Sequence, residues 1–146
     1  SVVSVSGPVP PKVGETTTMQ VVVALRNATN DYREGVLVGY VPLGVTFDKA
    51  SVSSAEAAAV KFDVSTGKLT WTVGKLAAHS GGATALRTLK FNVKVTPSGS
   101  QVGQTVTLFK TISLSAKDTF TEQSVSLNTQ ELTTQRLGEE NGRVVQ

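Results

Sequence analysis

His79 is the single histidine of the chain, and it stands in the small-residue run Ala77-Ala78-His79-Ser80-Gly81-Gly82. A hydrolytic triad needs a nucleophile on a strained turn and a histidine base oriented by a carboxylate. No serine elbow accompanies His79, and the chain has no cysteine, so thiol nucleophiles, thiolate metal sites and disulfides are excluded together. The histidine reads as a solvated loop residue. Gly81-Gly82 lacks the lysine and the spacing of a phosphate loop, and its glycines serve to reverse the chain. The residues expected to be catalytic, to hold a cofactor or to ligate a metal are therefore none.

Oxygen-rich loops raise the question of calcium. Asn27, Asn30, Asp31 and Glu34 form one cluster, and Asp118 with Glu122 another. Calcium takes about six to eight oxygens at one point, and neither loop spells an EF-hand; Asx turns account for the first without a metal. Asn27-Ala28-Thr29 has the form of a glycosylation acceptor, a triplet that also arises by chance. An intramolecular lysine–asparagine amide would join a first-strand lysine such as Lys12 to Asn128 on the last strand, and it requires a buried carboxylate beside them, which spacing alone does not show.

The elements that must position these groups are strands. With 146 residues the chain suits one domain with a real core. It is 39% hydrophobic but only 5% aromatic, so the core must be built mainly from Val, Leu, Ala and Thr, which favours pleated sheet. Apolar residues alternate with polar ones at Met19, Val21, Val23 and Leu25, at Leu69, Trp71 and Val73, at Leu89, Phe91, Val93 and Val95, and at Ile112, Leu114 and Ala116, continued by Val125 and Leu127. Such a period of two marks antiparallel strands with one wet face. The best helical stretch, Ser53 to Val60, is about two turns at most, a short cap or a loop. Turn residues recur at Gly7 to Pro11, Asn27 to Asp31, Pro42 to Gly44, Ser65 to Lys68, Ser80 to Gly82, Pro97 to Gly99 and Asp118 to Gln123.

The expected fold is all-β: an Ig-like antiparallel β-sandwich of about seven to nine strands. Leu25, Trp71, Phe91 and Leu114 are expected to meet in its inter-sheet core. Residues 1–15 read as an N-terminal strand or arm with a Pro-rich hinge, 16–134 as the sandwich, and 135–146 as a polar tail or linker. The start at Ser1, without methionine, fits a mature secreted chain or an excised domain.

Four segments, in this order, carry a family resemblance: Leu25-Arg26-Asn27-Ala28-Thr29-Asn30, the corner Val41-Pro42-Leu43-Gly44-Val45-Thr46-Phe47, the strand Gly67-Lys68-Leu69-Thr70-Trp71, and the aliphatic strand Leu89 to Val95. Residues 16–134 resemble the conserved-repeat Ig-like modules of bacterial and archaeal extracellular surface proteins. The departures are Val41 before the proline and an elaborate insertion from Ser51 to Lys61. The resemblance implies an extracellular, non-enzymatic spacer or assembly module with no catalytic residues to carry over.

The formal charge of +3 is spread among strand positions without a basic stripe, which speaks against nucleic acid. No apolar run spans a bilayer, so membrane insertion is not expected. The partners expected are copies of the chain itself or neighbouring modules of the same surface protein. Two ways of meeting them stay open. In one, Val2, Val3 and Val5 form an arm that pairs with a neighbour's sheet, and Val144 and Val145 do the same at the other end. In the other, Ser1 to Ser6 is a plain first strand and the module a compact spacer. An adhesin binding a glycan or receptor through its loops is the alternative function; Tyr32 and Tyr40 are the loop aromatics it would use.

Overall fold

A computed structural model describes residues 2–25, 31–76, 87–138 and 141–146. Among them run ten strands: β1 (Val2–Ser6), β2 (Thr17–Leu25), β3 (Tyr32–Tyr40), β4 (Val45–Asp48), β5 (Val60–Asp63), β6 (Lys68–Leu76), β7 (Arg87–Val95), β8 (Thr107–Asp118), β9 (Ser124–Thr129) and β10 (Leu132–Thr133). The two-residue β10 takes the count one past the expected range. All the pairings are antiparallel. One sheet has the order β1-β2-β7-β4; the other runs β8-β3-β6-β5, with β9 and β10 sharing the outer edge of β8. The series β1-β2-β7-β4 and β9-β8-β3 repeats the strand order of the two immunoglobulin sheets, and the β5–β6 hairpin is added beside β3.

Alternation puts one stripe of each strand inside. Met19 and Val21 of β2, Leu69, Trp71 and Val73 of β6, and Leu89, Phe91, Val93 and Val95 of β7 are buried in a single apolar cluster with Leu25 and Leu37. Leu114 is half-buried against it. Four phenylalanines cross the space between the sheets in a chain. Phe62 stacks on Phe47 with centroids 4.4 Å apart, Phe47 reaches Phe91 at 5.4 Å, and Phe91 meets Phe109 edge-on at 5.4 Å. Gly39 makes room for the last of these, because a Cβ there would collide with the Phe109 ring.

The stretch from Ser51 to Lys61 contains no α-helix. Two single 3-10 turns, Lys49–Ser51 and Ala57–Ala59, carry the chain from β4 to β5, and the Asp48 carboxylate accepts from the Ala50 N–H at 3.1 Å to start the first.

Two expectations need correcting, and the alternatives at the start of the chain narrow. The apolar stripe of β8 does not continue into a buried β9: Val125 is 42% and Leu127 66% exposed, because this sheet is a strand wider than the one facing it and β9 overhangs. Of the two arrangements left open at the start, β1 lies as a first strand within its own sheet, pairing with β2 from Val2–Val21 to Ser6–Thr18. Val2 is buried in the core, while Val3 and Val5 point outward.

The second correction concerns the end of the chain. Val144 is only 1% exposed and belongs to the core, so it is not an arm for a neighbour. The segment lies between two others, with parallel bridges Lys12–Val145 and Val102–Val144. Backbone bonds run from Val13 N to Val145 O at 3.0 Å, from Val145 N to Pro11 O at 2.8 Å, and from Val144 N to Gln104 O at 2.9 Å. Buried Thr134 anchors this closure. Its hydroxyl donates to Gly142 O at 2.6 Å and accepts from Val106 N at 2.8 Å. Gly142 is required there, because a Cβ would strike the Thr134 carbonyl.

Thr134→Val keeps the shape but orphans a buried N–H and a buried carbonyl. It should cost about 2 kcal/mol in urea unfolding and expose the final residues to carboxypeptidase in the folded protein. An unchanged urea midpoint would show that the closure contributes nothing.

Candidate functional site

The polar group with the most built-in geometry is one the sequence pattern did not reveal. Glu56 sits in Ala55-Glu56-Ala57-Ala58-Ala59, between β4 and β5, and is 6% exposed. Its carboxylate accepts from Trp71 Nε1 at 3.0 Å and from Arg87 Nε at 2.7 Å, and it also pairs with Arg87 NH2. Arg87 in turn donates through NH1 to Val73 O at 2.7 Å, and its guanidinium lies 5.8 Å from the centre of the Trp71 ring. Every donor around this carboxylate is thus accounted for, as a buried charge requires. The Arg87 hydrogen bonds and charge, helped by Trp71, hold the Glu56 carboxyl below its ordinary range against the opposing effect of burial. Glu56 raises Arg87 in the same way.

This arrangement ties the loop before β5 to Trp71 of β6 and Arg87 of β7. A lysine beside the carboxylate would allow amide formation with an asparagine; an always-protonated guanidinium is no such nucleophile. Lys12 and Asn128 are both exposed, Lys12 bridged to Val145 and Asn128 paired with Ser113 on β8. The structure therefore brings neither beside a buried carboxylate.

The acidic loops also resolve into turn chemistry. Asp118 is nearly buried and its Oδ1 accepts from the N–H groups of Phe120 and Thr121 at 2.8 and 3.1 Å. Glu122 is bound to Arg33 at 3.0 Å, and Glu34 lies 3.8 Å from Lys117. Among the described residues no three His, Asp or Glu side chains converge. Asn27, Asn30, the Asn27-Ala28-Thr29 triplet, His79 and the Gly81-Gly82 turn lie outside the described residues.

What remains is surface. The Phe47–Phe62 stack bridges the sheets on the β4/β5 side of the sandwich, and both of its edge strands carry charges, Asp48 on β4 and Lys61 and Asp63 on β5. On the opposite side the turn Thr134–Leu137 packs against β1, and among the described residues a groove remains beside it. The edge strands there, VVSVS in β1 and SVSLNT in β9, are uncharged, and they border this groove of about 620 Å³, floored by Ile112, Leu114 and Leu127 and walled by Val23 and Leu25. Edge strands ordinarily carry charges that discourage pairing; β1 and β9 carry none, and the one charged group lining the groove among the described residues is Arg136 of the turn that follows β10. The aromatic most exposed on a loop is Phe120, at 95%, which the reading of Tyr32 and Tyr40 missed because the Asp118 turn alone decides which way it points. No described helix is long and apolar enough to cross a membrane.

Trp71→Ala should cost roughly 3–5 kcal/mol, and the native indole should emit in the blue and resist iodide; free quenching would refute its placement. Glu56→Gln should cost about 2 kcal/mol near neutral pH. Because the Glu56 carboxyl is held low in the folded state, its stabilisation is present above the ordinary glutamate range and is lost as pH falls through the lowered value. The gap between wild type and Glu56→Gln in urea midpoint should therefore close on acidification; a gap independent of pH would refute the pairing.

No protein-family profile and no curated protein sequence matches the chain. Solved structures give weak likenesses. Domains D2 and D3 of the major pilin SpaD from Corynebacterium diphtheriae align at a TM-score of 0.47 and 12% identity, over 84% of this chain and 47% of that one. The major pilin subunit of Bacillus cereus aligns at 0.40 and 12%, over 86% and 35%. A DUF4466 family protein from Parabacteroides merdae aligns at 0.33 and 14%, over 91% and 43%. The chain thus spans less than half of each of these longer chains, and pilus formation is a property of the pilins themselves.

Proposed function

We propose that the chain is a non-enzymatic structural module of an extracellular surface protein of a bacterium or archaeon, used as a spacer repeat or as the subunit of a filament. The observation that carries this reading is the course of the two termini. Strand β1 runs antiparallel to β2 towards the end of the sandwich where residues 7–16 cross, so the chain enters from the direction of the other end. It finishes where Val144 and Val145 pair beside Lys12 and Val102, at the crossing end. Entry and exit at opposite ends suit modules joined in line. Both terminal segments are paired within the chain, which favours the compact spacer over a subunit that lends its arm to a neighbour.

A second reading, attachment to a glycan or receptor through loops, is favoured by Phe120 alone. It projects from a turn braced by Asp118 and by the Arg33–Glu122 pair.

Three copies joined directly end to end test the main reading. Small-angle scattering should give a maximum dimension that grows by one sandwich length per copy. A particle that folds back into a compact cluster would overturn the spacer. A loss of surface binding confined to Phe120→Ala would support the second reading instead.

A further inference from the structure

The groove lies along the end of β2. Strand β2 is nine residues long, and β7 pairs with it over its whole length, Thr17 to Leu25. Among the described residues the ladder with β1 on its other edge reaches the Val2–Val21 pair, while β2 continues through Leu25. It is along this continuation that the groove opens. Consecutive residues Val23, Ala24 and Leu25 line it, as happens when a strand presents its edge rather than one face. The overhanging β9 and its neighbour β8 supply a floor of Leu127 and Leu114, and Val2 lies at the near end.

We infer that this groove receives an extended strand laid end to end with β1, supplied by the segment of polypeptide that enters from the preceding module of the same protein. The occupant prolongs the β1–β2 ladder, an interface already present, so its direction and register are fixed. Paired residues of antiparallel strands point to the same face. Val2 faces inward opposite Val21, so the residues opposite Val23 and Leu25 also face inward, onto Leu114 and Leu127. The occupant therefore carries apolar side chains at those two positions and a polar one between them. It prolongs the edge strand of the narrower sheet so that β2 is paired along both edges to Leu25. Backbone pairing supplies affinity and the alternate apolar side chains supply selectivity, as in strand addition generally. The source of the strand rests on the spacer reading; the ladder and its register do not.

The test uses the full chain with three residues added before Ser1. In Val-Thr-Val the two valines fall opposite Leu25 and Val23; in Thr-Val-Thr the single valine falls opposite Ala24 and points outward. The Val-Thr-Val form should raise the melting temperature and slow hydrogen exchange along Val23–Leu25 roughly tenfold, the equivalent of about one net backbone bond. Leu127→Ser in the same form should remove much of that gain. Equal protection by both extensions, or by neither, would overturn the inference while leaving the in-line array of modules to its own scattering test. So would a concentration-dependent dimer of the unextended chain that Val-Thr-Val abolishes, because the occupant would then be a second copy.

Discussion

The fold depends on filling the space between two sheets from a composition poor in large side chains. Valine and leucine alternate well along strands but leave the centre of a wide sandwich thinly packed. The chain meets this constraint by concentrating its aromatic volume on one line. Phe62, Phe47, Phe91 and Phe109 link one edge of the sandwich to its middle, and Trp71 stands fully buried on the neighbouring strand. Ring-on-ring contacts of this kind add directional preference to simple burial. The relative position of the sheets follows from them: β4 is held over β5, and β7 over the strands beside it. Everything at the opposite side follows from what is left over. With the aromatic line anchored at β4 and β5, the extra strand of the wider sheet has to project beyond β1.

Trp71 illustrates how a buried polar atom is tolerated inside that packing. Its indole N–H must be satisfied, and the partner comes from a segment that belongs to neither sheet. The insertion between β4 and β5 exists, in physical terms, to bring one carboxylate to the indole and to neutralise it with Arg87. The insertion thereby closes over the edge of the core and ties a loop, β6 and β7 into one unit. A pair of this kind contributes more to uniqueness of packing than to net stability, since the charges give up their hydration to form it.

Alternation made the inner faces of β2, β6 and β7 legible, because a period of two specifies which side chains share a face without any knowledge of what lies opposite. The same rule misjudged β9. Val125 and Leu127 obey the alternation and share a face with Leu114, yet whether that face is covered depends on the relative width of two sheets, which no local pattern encodes. Glu56 was illegible for a related reason. A lone glutamate among alanines looks like a solvated turn, and its partners lie on strands that come later in the chain. Val144 was read within a polar, glycine-containing stretch, and the short stretch offers no second apolar residue at strand spacing to show that it faces inward. Phe120 was hidden because its exposure follows from the backbone of one turn. In each case the missing information was tertiary.

The pairing of residues 143–145 with both Pro11–Val13 and Val102–Gln104 has a consequence for biosynthesis. A chain growing from the ribosome, or emerging through a translocation pore, exposes its first segment long before the last one exists. The crossing at Lys12 cannot acquire its final neighbour until Val145 has arrived, and contacts between such distant parts form late because closing the intervening loop costs entropy. The aromatic line between the sheets can assemble earlier, once β8 is present. Val144 is thus a late addition to the core, and a polypeptide stopped short of residue 143 would leave its place between Pro11–Val13 and Val102–Gln104 unfilled.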